Sequence, residues 1–287
     1  MSKQKKQYTI GIDIGGTKMS AVLFDGQKVV ADYTMATPKD TLEHFLVMLK
    51  ALIEPLEEKA KKNKIKIKGV GLGVPSVLDL KRENILTATN LEIINRIKLV
   101  SKIIDFIDLP VVMDNDAYCF IRAEAQMGAA KGLNNVFGIT LGTGIGGGWW
   151  YNNNVYRGAY GGAAQIWRTI IDIKDKIWLE EAYHRLAQNN PGKLSQEAVL
   201  GDSLAQRAYA EMGNVFGVSL ANIANTIDPE AFVIGGSVIQ SADLFFPQLK
   251  KTMKANIDSP ESVKKIKVLK SKLGPNANAI GAALLVE

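Results

Sequence analysis

Apolar and polar positions along this chain follow two rhythms. The apolar runs Tyr8 to Ile12 and Ser20 to Phe24 bracket a glycine-rich turn and predict a β-hairpin. Val29 to Thr34 reads as a third strand. From Thr41 to Lys62 the period changes. Leu42, Phe45, Leu46, Leu49, Leu52, Ile53 and Leu56 recur at helical spacing, with Pro55 placed to kink or split the helix. Lys68 to Val74 returns to a short β-rich run. Strand, helix and strand in succession imply a mostly parallel sheet.

The later part of the chain repeats the theme. Leu109 to Met113 predicts a buried strand and Ala117 to Met127 a helix. Asn135 to Thr140 predicts another strand, which turns through Leu141 to Gly148 into Trp149 to Tyr151; Trp149 and Trp150 fit strand positions. Leu194 to Ile227 reads as a long helix, with Pro229 just beyond it. Ala231 to Val238 is a strand ending in a Gly-Gly turn, and Leu244 to Ile257 a further helix. His44 and His184 fall in helical patterns as surface or packing residues.

Composition narrows the class. A chain of 287 residues can bury a sizeable core and suggests two domains. Hydrophobic content of 47% with 22% charged residues describes a globular protein, not a disordered one. No apolar run reaches the roughly 18 residues of a membrane span. The polar, basic start, Met1 to Gln7, lacks the apolar stretch of a signal peptide. No membrane partner and a cytoplasmic location are therefore expected. The single cysteine, Cys119, excludes an internal disulfide and a cysteine-cluster metal site. The net charge of +6 gathers at Lys59 to Lys68 and Lys264 to Lys272. These clusters lack interleaved aromatic residues and read as solvated faces, so nucleic acid is not expected as a partner.

Candidate chemistry begins at Gly11-Ile12-Asp13-Ile14-Gly15-Gly16-Thr17-Lys18, where one tight turn carries a carboxylate, a hydroxyl and an ammonium. Asp13 suits a hydrated Mg²⁺, held through water. Backbone N–H groups of Gly15 and Gly16, with Thr17 and Lys18, suit phosphate oxygens. An ordinary glycine-rich hairpin is the alternative reading. The spacing is not that of a Walker A loop. Leu141 to Gly148, with Gly142, Thr143 and Gly144, echoes this hairpin and suggests a duplicated fold with phosphates held between its halves. Asp114-Asn115-Asp116-Ala117 ends a strand, where ligands bind in α/β sheets. Asp116 can accept the proton of an attacking hydroxyl. Asn115 can both donate and accept, which suits a sugar hydroxyl. The alternative is that Asn115 and Asp116 cap the following helix. Together with the Gly235-Gly236 turn, these features suggest nucleotide-dependent phosphoryl transfer.

The first loop resembles the first phosphate loop of the sugar kinase and actin superfamily, and its Asp-x-Gly-Gly-Thr-Lys form resembles the ROK family of sugar kinases. Gly71 to Asp79 is similar to that family's Gly-x-Gly-x-Pro-Gly-x-Val-Asp loop, with Ser76 in place of a glycine. Thr89-Asn90-Leu91 resembles its sugar-contacting Asn-Leu pair, without the tryptophan that follows there. Asn115-Asp116-Ala117 resembles its catalytic motif, and Gly235-Gly236-Ser237 its adenosine loop. Asn276 to Val286 resembles its closing helix.

One stretch departs from that pattern. Gly161 to Thr169 stands where the family has, after small residues, a glycine, a sugar-binding Glu, a further glycine and a His that also ligates zinc. Here Ala164, Gln165, Trp167 and Arg168 replace them. Asp172 to Trp178 takes the place of the zinc-binding cysteine loop and has no cysteine, so no zinc is expected. Leu179-Glu180-Glu181-Ala182-Tyr183 rejoins the pattern, in which a Glu reaches the sugar.

The resemblance implies an α/β protein of the two-domain ribonuclease H-like (actin/hexokinase superfamily) fold with a cleft between domains. Residues 1–116 would form an N-terminal domain closed by the helix 276–287, and residues 117–275 the C-terminal domain. The implied reaction is ATP-dependent phosphorylation of a hexose or related sugar, with ATP and Mg²⁺. Asp116 would be the base. Asn90, Asn115, Gln165, Arg168 and Glu180 or Glu181 would face the sugar, and Gly235 and Gly236 the nucleoside. Many relatives pair as homodimers, which leaves a homodimer open. The rival reading is a non-catalytic sugar- or nucleotide-binding protein that kept the fold.

Overall fold

The structure, a computed structural model, describes residues 7–88, 90–188 and 190–286. Thr89 of the Thr89-Asn90-Leu91 motif, and the first residues of the basic N-terminal stretch, lie outside it. In chain order the elements are β1 (Tyr8–Ile14), β2 (Lys18–Phe24), β3 (Val29–Ala36), α1 (Leu42–Lys62), β4 (Ile67–Val74), β5 (Val77–Leu78), β6 (Ile85–Thr87), α2 (Leu99–Ile104), β7 (Val111–Asn115) and α3 (Asp116–Gln126). Then come β8 (Asn135–Leu141), β9 (Ile145–Tyr151), β10 (Asn154–Tyr156), β11 (Ile170–Asp172), β12 (Ile177–Trp178), α4 (Leu179–Leu186), α5 (Pro191–Val199), α6 (Ser203–Ile227), β13 (Ala231–Gly235), α7 (Ala242–Ala255), α8 (Pro260–Lys265), β14 (Lys267–Lys270) and α9 (Ala277–Ala283).

The chain divides into two units. The first takes the residues up to Glu124, Arg157–Ala163 and those from Pro275 onward; the second takes Ala125–Tyr156 and Ala164–Gly274. Most of α3 and the segment Arg157–Ala163, assigned to the second half in sequence, thus belong with the first unit.

Each unit has its own five-stranded sheet and its own core. The first sheet runs β3-β2-β1-β4-β7 and the second β10-β9-β8-β13-β14. In both, the leading three strands pair antiparallel and the last two join in parallel. The two glycine-rich hairpins are the corresponding first turns of these sheets, so the duplication read from sequence extends to strand order. In the first unit, Ile10, Ile12 and Leu72 pack with Phe45, Leu49 and Leu52 of α1. In the second, Phe137, Ile139 and Ile234 pack with Tyr209, Phe216 and Leu220 of α6.

Two helix readings change. α1 runs unbroken through Pro55, its start capped by Thr41 Oγ1, which accepts from His44 N at 3.1 Å. Leu194 to Ile227 is not one helix. Gly201, at φ 94°, ends α5, and the Asp202 carboxylate restarts the chain as α6 by accepting from Ala205 N at 2.7 Å. α9 lies hard against β1 and β4. A methyl group at Gly11 would sit 1.9 Å from Ala279 O, and one at Gly71 would sit 1.8 Å from Ala282 O.

Candidate active site

In the first unit, the β1–β2 turn is tied down from outside. Gly15 N donates to Lys18 O at 2.9 Å, Thr37 N donates to Thr17 O at 3.0 Å, and Thr37 Oγ1 donates to Gly15 O at 2.7 Å. These bonds use carbonyls and leave Thr17 and Lys18 exposed at the tip. Gly16 faces Asn90 closely, since a methyl group there would meet Asn90 Cβ at 3.2 Å. The first loop and Asn90 are therefore neighbours, although far apart in sequence.

Parallel pairing lines up the strand ends that carry the carboxylates. Asp13 aligns with Gly73 across β1 and β4, and Gly73 with Asp114 across β4 and β7. Asp116 follows two residues after Asp114, at the first position of α3. Both carboxyls are half-buried, and the charge of Asp13 acts on Asp116. Burial, and then the Asp13 charge, push Asp116 up to about 7, only partly offset by the bond its carboxylate accepts from Ala117 N at 2.8 Å. Asp13 is pushed up to about 6 by burial, against the bond from Asn278 and the charge of Lys18. Asn278 Nδ2 donates to Asp13 Oδ1 at 3.3 Å. A group with a pKa near neutral can take up and release a proton under working conditions.

Asn115 realises the capping geometry. Its Oδ1 accepts from Tyr118 N at 3.1 Å, and its Nδ2 donates to Ser76 O at 3.0 Å. Each of these atoms retains capacity for one further bond. Asp114, the neighbouring carboxylate, is 1% exposed and is taken up by arginines. Arg157 bonds it, Arg122 Nη2 lies 3.2 Å away and Arg82 Nη1 3.7 Å. Neither this arginine cluster nor Asn278 and Thr37 was legible in the motifs, because each partner comes from a distant segment.

The second unit places its phosphate-type hairpin against the Gly235-Gly236 turn. Gly236 stands at φ 91°, and a methyl group on it would meet Leu141 O at 2.2 Å, so only glycine fits beside β8. Gly142 N donates to Gly144 O at 3.0 Å, and Thr143 is exposed at the tip. α4 fixes the same turn. Glu180 Oε1 accepts from Ile145 N at 2.9 Å, and Tyr183 Oη donates to Gly142 O at 2.8 Å. Glu181 points to solvent and pairs with Arg185 at 2.6 Å. Of the two glutamates, Glu180 is built into the hairpin and Glu181 into a surface ion pair.

The divergent stretch has its own internal order. Ala164 adopts φ 61°, the left-handed region in which the resemblance expects glycine. Trp167 Nε1 donates to Gln165 Oε1 at 2.7 Å. The Arg168 guanidinium lies 3.4 Å from the Trp178 ring centre and 5.3 Å from that of Trp167. β11 and β12 pair as a small hairpin behind it, and Leu179 N donates to Thr169 O at 2.9 Å. Among the described residues no group of three or more His, Cys, Asp or Glu is placed to hold a metal ion. Among them, too, no helix is long and apolar enough to cross a membrane.

Two sheets of equal strand order, each turning through a Gly-Thr hairpin, with a carboxylate at a parallel strand's end, define the ribonuclease H-like architecture of the actin/hexokinase ATPases. The match to the ROK family spans residues 9–287, and the chain belongs to that family. It is 28% identical to a glucokinase of Streptomyces coelicolor over 96% of each chain. It is also 27% identical to a xylose repressor of Bacillus spizizenii, covering 99% of this chain and 78% of the repressor. A ROK family glucokinase from Streptomyces griseus, solved with glucose and AMPPNP, superimposes with a TM-score of 0.85 at 29% identity, covering 97% of this chain and 99% of that one.

Proposed function

We propose that this protein is an ATP-dependent sugar kinase that transfers the terminal phosphoryl group of ATP to a sugar hydroxyl. The observation that carries the reading is Asp116: a half-buried carboxyl at the end of β7, raised to about 7 beside a second carboxylate. Phosphoryl transfer asks for positioning and charge stabilisation, with one group to take the hydroxyl proton. Asp116 is that group. Asn90, Asn115 and Gln165 are the side chains proposed to orient the sugar.

The remaining parts fit the donor. Gly15 N and Gly142 N are used inside their own turns, so what Gly15 to Lys18 and Gly142 to Gly144 offer phosphate oxygens is close approach of bare glycine backbone, two hydroxyls and an ammonium. Gly235 and Gly236 keep the backbone bare for a nucleoside. Asp13 fits Mg²⁺: it is a hard oxygen ligand whose charge is held at a cost by burial, with a neutral amide as its hydrogen-bond partner. Mg²⁺ held there through water would neutralise phosphate charge.

A second reading is a sugar- or nucleotide-binding protein without turnover. It is favoured by the repressor relative and by the replacement of a charge-bearing Glu by Gln165. ADP release measured across a panel of sugars, for the parent and Asp116→Asn, separates the two. The kinase reading expects turnover with at least one sugar and a loss of about 10²-fold or more in the variant, with nucleotide affinity unchanged. Near-full turnover in Asp116→Asn would leave Asp116 as a helix cap and reject the mechanism.

A further inference from the structure

We infer that Trp167 is a positioning residue that fixes Gln165 as a hydrogen-bond donor, and that the substrate therefore presents an acceptor-only oxygen, a carbonyl or a carboxylate, to it. The inference rests on the sugar-kinase reading only in taking Gln165 to face the sugar.

An amide side chain is two-faced: its oxygen accepts and its NH2 donates, and free rotation lets it show either end to a ligand. Here rotation is blocked. The indole Nε1 of Trp167 is a donor with no acceptor capacity, and it stands 2.7 Å from the Gln165 side chain. The atom facing it must be the oxygen, because the opposite orientation would set two donors against each other. The NH2 is then the end that points away. Trp167 is itself held. Its ring lies 5.3 Å from the Arg168 guanidinium, which also sits 3.4 Å from the Trp178 ring. Cation–π contact with both indoles resists a swing of either. The sequence Trp178, Arg168, Trp167, Gln165 is thus one stacked and hydrogen-bonded line.

The consequence is a reversal of polarity. A glutamate at this position would only accept, and would select hydroxyls that donate. The pinned Gln165 donates, and a hydroxyl meeting it must accept and find another partner for its own proton. A carbonyl or carboxylate oxygen has no such proton and is satisfied by the contact alone. The exposed Arg168 adds a fixed positive charge to the neighbourhood.

The test uses the full-length protein with glucose, N-acetylglucosamine and glucuronate as probes, in both calorimetric binding and ADP release. N-acetylglucosamine carries the acyl carbonyl and glucuronate the carboxylate, so the two arms tell the sources apart. At least one of them is expected to bind about tenfold or more tightly than glucose. Trp167→Phe keeps a ring for Arg168 but removes the N–H, which frees the amide to turn; the preference should shrink several-fold while the melting temperature holds. Gln165→Glu should reverse the preference towards glucose. A parent that prefers glucose, that binds none of the three, or that keeps its preference unchanged in Trp167→Phe overturns the inference. Binding with this preference but no ADP release would reject the kinase reading alone. Turnover of glucose above both other sugars would reject this inference alone.

Discussion

Asp116 is held where its charge is unfavourable. Its carboxyl ionises at about 7 in the folded chain, against an ordinary value of 3.8, because burial and Asp13 oppose the charge. The folded state therefore keeps a proton that the unfolded state has lost, and stability contributed by this group is full below pH 3.8 and disappears as pH rises through about 7. Asp116→Asn removes the penalty while leaving an oxygen for Ala117 N. In metal- and nucleotide-free buffer the variant should match the parent near pH 4 and exceed it by about 1–3 kcal/mol near pH 8. Urea unfolding at the two pH values measures this; an equal effect at both would show that the carboxyl is not perturbed. Ala164 is a second residue-scale case. At φ 61° it carries a Cβ in a region that disfavours one, so Ala164→Gly should stabilise the protein by about 1 kcal/mol. A lower denaturation midpoint in that variant would contradict the argument.

At the scale of elements, the close approach of α9 to the sheet depends on missing side chains. Sequence pattern marks Gly71 only as part of a Gly-x-Gly strand. The packing shows why bulk fails there: Ala282 O occupies the place a methyl would take. Gly71→Val should push α9 away from β1 and β4 and destabilise by at least the 1–3 kcal/mol typical of overpacking. Hydrogen exchange should show faster exchange in α9 than in α6, where no contact has changed. Uniform exchange across both helices would mean that α9 is not the element displaced. The break between α5 and α6 belongs here too. Helical periodicity continues across it, and a left-handed glycine followed by an aspartate cap interrupts it.

At the scale of the molecule, two similar sheets form separate cores, and the stretch that departs from the family pattern is held by aromatic stacking and hydrogen bonds. A closed structural zinc site needs four N or S ligands. The protein has one cysteine, Cys119, which is buried in the first unit. Purified protein should contain no stoichiometric zinc, and a strong chelator should leave its melting temperature unchanged. Elemental analysis finding one tightly held zinc per chain would refute this.

The sequence determined the local features: which runs alternate and which recur at helical spacing, where glycines turn two hairpins, and where a carboxylate follows a strand. These follow from periodicity and backbone stereochemistry, which act over a few residues. Asp13, Asp116 and the Gly142 turn were legible for that reason, as was the altered composition of the stretch around Gln165. Tertiary structure decided everything that depends on partners brought from far away in the chain. Asn278 reaches Asp13, three arginines surround Asp114, Thr37 braces the first turn and Tyr183 the second. It also decided which end of the Gln165 amide is presented, since one indole N–H fixes that orientation. Sequence names the groups a site contains, but a hydrogen bond's direction and a carboxyl's proton affinity depend on the neighbours that folding supplies.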